Sequence, residues 1–489
     1  MQKNNKYYLQ TNSKINNINK LVSDVAQLFY LQPTEQLETS NIIINIFEQS
    51  NELSLTVISD KFAPQKQIIF ISENGKFNTN ILKKHLLLML KNIYKDGMLD
   101  WGVLRGVRPI KLVQNFFEKG LEIDDIYNLL RNDFLLSEQK ATLALQVANH
   151  QNILASSYRQ NDIAIYIGIP FCSTKCTYCS FPSSIIPTND QDLDLFFQAI
   201  ELDIQNVLQL ANDYNLNVKS LYIGGGTPTC LPEKHFTYLA DIITKLLKKF
   251  NIEEFTFEAG RVDSLTKNKL SILNNLGITR VSLNPQTFNE KTLLKVERNH
   301  TAQSFCDWYE YVRQKYSWKI NTDIILGLPD ETIHDVQNTM EKLCLYKPDN
   351  LTIHTLAFKK QAELFNNLEL YYQHSKQIKD MMQVATDMAS GMGMIPYYLY
   401  RQRYILGNME NIGYSIPRTE CMYNLIIMQE KNTILGIGPS ATTKIIDKNG
   451  NLTTFFMPKN VSIYNSLIHD YIEKRTNIFK EIFNNNSSV

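Results

Sequence analysis

The stretch IAIYIGIPFCSTKCTYC, residues 163–179, is the one from which the rest of the chain can be read. Its first half is an apolar, β-rich run with the signature of a strand. Its second half places three cysteines within eight residues, Cys172, Cys176 and Cys179, directly after that strand. Similar runs recur downstream: SLYIGG (220–225), EFTFEA (254–259), RVSLNP (280–285), NTDIILGL (321–328) and NLTIHTL (350–356). Amphipathic segments lie between them. In DLDLFFQAIELDIQNVLQLA (192–211), for example, Leu193, Phe197, Ile200, Ile204, Val207 and Leu208 fall near one helical face. Strand–helix alternation argues for a parallel sheet with crossover helices. Six units are too few for a closed eight-stranded barrel, and a partial barrel or a doubly wound sheet both fit. In either fold, chemistry gathers at the carboxyl ends of the strands. Those six ends carry PFCSTKC, GGGTPT, EAGR, NPQT, GLPD and TLAF.

Upstream, residues 1–155 read as an α+β accessory domain without a catalytic motif. A helix-like start is followed by two alternating runs, NIIINIF (41–47) and LSLTVIS (53–59), that form a hairpin pattern. Helical patterns follow at 80–94 and 140–154, and WGVLRGVRPIKLV (101–113) reads as a loop entering a helix at Pro109. The parallel unit spans 156–380. From 381 to 489 the rhythm changes, with an aromatic-rich stretch at 397–415, a Gly-rich one at 434–444, a terminal helical pattern and a polar, frayed tail.

Composition sets the frame. The 489 residues are 44% hydrophobic and 20% charged, with a net charge of +1. That is a globular composition without the basic field expected of a nucleic-acid or anionic-membrane binder. The polar N-terminus lacks the apolar core of a signal peptide, and no apolar run approaches the length needed to span a bilayer. A cytoplasmic protein, with a monomer favoured, is the expectation. The seven cysteines do not resemble a secreted disulfide framework. Cys230, Cys306, Cys344 and Cys421 read as small buried hydrophobes.

The chemistry lies in Cys172-Ser-Thr-Lys-Cys176-Thr-Tyr-Cys179. Thiolate is the soft ligand that iron–sulfur clusters take. Zinc would call for a fourth ligand, and the nearest downstream cysteine, Cys230, is about fifty residues away. Three ligands for a four-iron cubane leave one iron open, an arrangement suited to catalysis. The glycine run Gly224-Gly225-Gly226-Thr227-Pro228 ends the next strand; without Cβ atoms it lets backbone N–H groups approach a carboxylate. Taken alone, such a run is also an ordinary loop.

The spacing CxxxCxxC with an aromatic at Tyr178 resembles the signature of the radical S-adenosylmethionine superfamily. YIGIPFC (166–172) and the GGGTP segment narrow the resemblance to the oxygen-independent coproporphyrinogen III dehydrogenase branch. EAGRVDSLT, VSLNPQTFNEKTL, YYLYRQ, ENIGYS and WGVLRGVRPIKLV resemble its longer form with an extra N-terminal domain. The resemblance implies an incomplete (β/α)6 TIM-like barrel, an N-terminal accessory domain and a C-terminal substrate-covering region. It implies a 4Fe–4S cluster on Cys172, Cys176 and Cys179, whose open iron chelates S-adenosylmethionine, and two cofactor molecules per site. By the same resemblance Tyr166, Tyr178, Gly225 and Thr442 contact the first cofactor, and Glu258 hydrogen-bonds a cofactor. Gly226 and Thr227, with Gln286, Arg298, Asp323 and Ala357, contact the second. Alone, Arg298 would read as a surface ion pair and Asp323 as a helix-cap or loop acid. The implied partners are a tetrapyrrole substrate and an electron donor of the flavodoxin or ferredoxin kind. The implied activity is oxidative decarboxylation of coproporphyrinogen III to protoporphyrinogen IX in heme biosynthesis. One departure stands out: members with CxxxCxxCxC have a fourth cysteine where this chain has Phe181, as heme-chaperone relatives do. A heme chaperone, or a heme-degrading or methyl-transferring radical enzyme, is the alternative.

Overall fold

The computed structural model describes residues 5–49, 52–60, 62–70, 78–106, 108–358 and 377–484. Of the polar tail expected at 484–489, Asn484 ends the last helix and the rest lies outside the described residues. The chain forms two compact units, Met1–Ala148 with Tyr400–Glu410, and Asn149–Leu399 with Asn411–Val489.

The first unit is built on a five-stranded sheet in the order β2-β1-β3-β4-β5. Its strands are β1 (Lys6–Thr11), β2 (Gln32–Pro33), β3 (Ile42–Gln49), β4 (Glu52–Ser59) and β5 (Phe62–Phe70). The helix-like start is a strand, β1, which pairs in parallel with β3; the first helix follows at Ile18–Ala26. β3 and β4 form the expected antiparallel hairpin, with Ile44 opposite Val57 and Ile46 opposite Leu55. Alternation puts Ile42, Ile44, Ile46, Leu53, Leu55 and Val57 on one buried face. The expected helices occupy Thr79–Ile93 and Pro109–Glu118, the second with Pro109 in its first turn, where a missing N–H costs nothing. The excursion 400–410 is sewn in by buried polar groups. Trp101 Nε1 donates to Glu410 Oε2 at 2.7 Å, and the Arg401 guanidinium, 4.9 Å from the Trp101 ring, donates to the Asn408 and Leu104 carbonyls.

The second unit holds an eleven-stranded sheet in the order β14-β15-β13-β12-β11-β10-β9-β6-β16-β17-β18. The six expected strands are β6 (Asp162–Ile169), β9 (Asn217–Gly225), β10 (Glu254–Glu258), β11 (Arg280–Ser282), β12 (Lys319–Leu326) and β13 (Asn350–Thr355). Between β6 and β9 a two-residue ribbon pairs β7 (Phe171–Cys172) with β8 (Ser184–Ile185). All six main strands run parallel, in sequential order across the sheet. Crossover helices alternate with them, including Asp190–Asp213, Glu233–Leu247, Lys267–Asn275, Ala302–Lys315 and Ile333–Tyr346. All but Glu233–Leu247, which Pro232 precedes, start with a side-chain cap that satisfies free N–H groups: Asn189, Thr266, Thr301 and Thr332 each accept from the first turn. In Asp190–Asp213 the buried face is as expected, except that Leu210 is buried and Leu208 half-exposed. The fold is thus the incomplete TIM-like barrel. The sheet gains a seventh parallel strand, β16 (Ile434–Ile437), which pairs with β6. It lies in the stretch read above only as Gly-rich, being four residues long and carrying Gly436. The remaining strands lie at the two edges: β17 (Thr442–Ile446) and β18 (Leu452–Phe456) run antiparallel beyond β16, β15 (Asn411–Ser415) runs antiparallel beside β13, and β14 (Ile395–Tyr400) closes that end of the sheet. Buried Arg475 of the last helix, Ile468–Asn484, pairs with buried Asp203 at 2.6 Å. Among the described residues no helix is long and apolar enough to cross a membrane.

Candidate iron–sulfur and cofactor site

The carboxyl ends of the parallel strands converge on one array. At the end of β6 the cysteine loop is pinned by backbone. Ser184 N–H donates to Pro170 O at 2.7 Å and Ile186 N–H to Cys172 O at 3.0 Å. Cys179 N–H closes a turn onto Cys176 O at 2.9 Å. The glycine run of β9 is clamped against this loop: Gly226 N–H reaches Ile169 O at 2.8 Å and Thr227 N–H reaches Phe171 O at 2.7 Å. Only glycine fits there. A Cβ on Gly226 would lie 2.4 Å from Phe171 O and 3.0 Å from Cys172 Sγ. Gly225 adopts φ +116°, with Ile169 O only 2.8 Å from any Cβ it carried. A Cβ on Gly224 would strike the Glu258 carboxylate at 2.6 Å.

Each thiol has a different neighbour. Cys172 Sγ is 3.5 Å from Thr227 Oγ1, and Cys176 Sγ accepts from Arg261 Nη1 at 3.7 Å. Burial pushes the Cys179 thiol up, against a backbone hydrogen bond from Phe181, and nearby Cys176 and Cys172 push it further, so a thiolate there calls for a cation. All seven cysteines are free thiols; Cys306 and Cys421 are buried as expected, whereas Cys230 and Cys344 are half-exposed. Among the described residues no three His, Cys, Asp or Glu side chains converge to hold a single metal ion.

Glu258, at the end of β10, accepts from Tyr222 OH at 2.6 Å and from Gly225 N–H at 3.2 Å. Burial pushes its carboxyl up to about 7; the Tyr222 hydroxyl pulls down, Asp323 adds to the rise and the Gly225 N–H pulls down. Tyr166 does not stand at a strand end. Its ring stacks against Tyr222 at 6.1 Å and buried Tyr423 at 5.8 Å, extending the polar cluster into a half-buried aromatic column.

On the β11–β12 side, Arg298 is buried rather than at the surface. Its Nη1 donates to Tyr178 OH at 3.2 Å, and its Nη2 to Asn284 O at 2.7 Å and to Gly260 O. Asn284 ties this guanidinium to Asp323: its Nδ2 donates to Asp323 Oδ2 at 2.9 Å and its Oδ1 accepts the Asp323 N–H at 3.2 Å. His354 Nε2 lies 3.7 Å from the same carboxylate. Gln286 takes left-handed backbone geometry, φ 65°, and its N–H donates to Asp323 O at 3.1 Å. Gln286 Oε1 and Arg298 Nε are buried polar atoms without a hydrogen-bond partner. Ala357 follows β13, and Thr442 opens β17, beyond β16 at the opposite side of the sheet from this hydrogen-bonded set.

Cys172, Cys176, Cys179, Tyr178, Gly225, Gly226, Thr227, Glu258, Gln286, Arg298 and Asp323 therefore gather at adjoining strand ends. Arg261, Asn284, Tyr222, Tyr423 and His354 complete the array. The strand-end runs EAGR, NPQT, SLYIGG and NLTIHTL contain Arg261, Asn284, Tyr222 and His354, but residue type alone assigns none of them a role. The donor set fits the implied groups. Three sulfurs sit on one loop, a glycine cradle touches one of them, and unpartnered buried polar atoms stand nearby. Fold and site together define a class: a parallel β/α sheet presenting a thiolate loop and a glycine cradle to an iron–sulfur cluster and a carboxylate-bearing cofactor.

Comparison with known proteins agrees. The family model described as the Radical SAM superfamily matches residues 166–343. The oxygen-independent coproporphyrinogen-III oxidase-like protein HemZ of Bacillus subtilis (strain 168) is 36% identical over 388 residues, 78% of this chain and 77% of that protein. The heme chaperone HemW of the same organism is 28% identical over 47% of this chain and 61% of its own length. The solved structure of Escherichia coli coproporphyrinogen III oxidase HemN, described as a radical SAM enzyme, shares the fold. Its TM-score is 0.51 at 19% identity, covering 66% of this chain and 72% of that one. The chain belongs to the radical S-adenosylmethionine superfamily, in its oxygen-independent coproporphyrinogen-III oxidase-like branch. That family implies a 4Fe–4S cluster and S-adenosylmethionine.

Proposed function

We propose that the chain decarboxylates coproporphyrinogen III to protoporphyrinogen IX without oxygen, using two S-adenosylmethionine molecules and an external one-electron donor of the flavodoxin or ferredoxin kind. When bound, the cluster and cofactor would supply a radical able to remove a β-hydrogen from each of two propionates, and each propionate would then lose carbon dioxide and pass one electron to an external one-electron acceptor as its vinyl group forms. The protein's part is orientation and water exclusion. Cys172, Cys176 and Cys179 hold the cluster. The Gly225–Gly226 backbone and Glu258 receive the amino-acid end of the first cofactor. Arg298, Asp323 and Gln286 face the second.

The observation that carries this reading is the β11–β12 side of the site. Arg298 is buried on carbonyls and a phenol with its Nε unpartnered, and its Asn284 link leads to Asp323. A desolvated guanidinium of this kind suits a planar carboxylate. The second reading, a heme chaperone, is favoured by Phe181, which is 67% exposed beside Cys179, and by the likeness to HemW. Anaerobic incubation with coproporphyrinogen III, S-adenosylmethionine and a reductant, read by mass spectrometry, separates them. The enzyme reading expects loss of two carboxyl groups per tetrapyrrole. Cofactor cleavage without decarboxylation, together with tight heme binding and transfer to an acceptor protein, would favour the chaperone.

A further inference from the structure

Arg261 follows β10 in the segment EAGRVDS (258–264) and is only 3% exposed. A buried guanidinium must place its N–H donors. Two go to the Asp263 carboxylate, Nε at 3.1 Å and Nη2 at 2.8 Å, a forked hold that fixes the plane of the group. Nη1 points the other way, onto the cysteine loop, where it reaches Thr174 O at 3.0 Å and Cys176 Sγ at 3.7 Å. The turn that carries Arg261 is itself braced. Ser264 Oγ donates to Arg261 O at 2.7 Å and meets Thr229 Oγ1 at 2.6 Å. Buried Lys269 holds the Thr229 and Ser264 carbonyls at 2.7 and 3.2 Å.

The three sulfurs are thus not equivalent. Cys172 has the Thr227 hydroxyl and Cys179 a backbone N–H at Phe181, both neutral donors. Cys176 has a charged one in Arg261, and Arg298 lies within electrostatic reach of the same thiol. Donation to a cluster thiolate draws electron density from the sulfur and favours the more electron-rich, reduced cluster. Asp263 cancels the net charge of Arg261 at longer range, so what remains is the directed N–H···S contact.

We propose that Arg261 sets the reduction potential of the cluster by hydrogen-bonding the Cys176 thiolate, raising the potential toward that of its electron donor. This rests on the reading that Cys172, Cys176 and Cys179 hold the cluster, and the test keeps the two apart. The full chain is reconstituted without oxygen, iron and sulfide are counted, and the cluster is poised at a series of potentials and read by electron paramagnetic resonance, with no S-adenosylmethionine and no turnover. Arg261→Gln should keep its iron. At the poise where the wild type is half reduced, its ratio of reduced to oxidised cluster should be about tenfold lower, which for one electron is about 59 mV. Arg261→Lys keeps the charge but lacks the fork that both grips Asp263 and reaches the sulfur, so its potential should also fall. A wild-type potential in either iron-loaded variant overturns the proposal. So does failure of both variants to hold iron when the wild type does, because Arg261 is then a brace of the loop. A wild type that takes up no iron would instead overturn the cluster reading itself.

Discussion

Between β6 and β9 the chain holds its cysteine loop with backbone, and between β11 and β12 it holds Arg298 and Asp323 with side chains. On the first side, amide-to-carbonyl bonds from Gly226 and Thr227 lock two strand ends together, and the glycines leave no room for a Cβ. On the second, Asn284 grips Asp323 through both ends of its amide, and its own carbonyl accepts from Arg298. A backbone clamp tolerates almost no added atom. A side-chain relay degrades by steps as its members are exchanged.

The largest effect is therefore expected from Gly226→Ala. The new methyl must displace the Phe171 carbonyl and the Cys172 sulfur, so iron uptake after anaerobic reconstitution should collapse as completely as in Cys176→Ala, from about four irons per chain to nearly none. Cys230→Ala should keep the wild-type iron content. A fully loaded Gly226→Ala chain would remove the distinction between the two sides.

Arg298→Lys comes next. One ammonium cannot serve three acceptors spread over Tyr178, Gly260 and Asn284, and each buried acceptor left unpaired costs about 1–3 kcal/mol. Iron content should survive, the melting temperature should fall, and product formation should drop by at least about tenfold, as expected when a transition-state contact worth more than about 1.4 kcal/mol is lost. Undiminished turnover would make Arg298 a structural post.

The smallest effect concerns pH. Burial raises the Glu258 carboxyl from its ordinary 4.5 to about 7, so the folded chain binds an extra proton between those values. Folding is penalised as pH rises through that window, and the penalty is constant above it. Glu258→Gln escapes it. Its melting temperature relative to the wild type should therefore climb between about pH 5 and about pH 8, with a ceiling of about 3 kcal/mol set by the size of the shift. A difference flat in pH would mean that Glu258 does not titrate there.

The contrast between the two sides also explains what could be read from the chain. The cysteine loop and the glycine run are contiguous, and their chemistry follows from residue type and spacing. The six parallel strands are legible because β-rich runs recur with helical patterns between them, a rhythm that marks even three-residue β11. β16 was not, since four residues with a glycine carry no period, and its place beside β6 comes from pairing across more than 260 residues. β1 is hard to read because both its partners, β2 and β3, pair with it in parallel, and the first helix lies between it and them in the chain. Asn284, His354 and Arg261 look like ordinary polar residues until the sheet brings distant strand ends together. Arg298 was expected on cofactor grounds, but its burial depends on Gly260 and Tyr178, from two other loops.

The measurement that tests the two-sided account most directly is the stoichiometry of S-adenosylmethionine on the iron-loaded chain, by anaerobic equilibrium dialysis. Two molecules are expected per wild-type chain and one in Arg298→Lys, with the cluster intact in both. One molecule per wild-type chain, unchanged in Arg298→Lys, would contradict it.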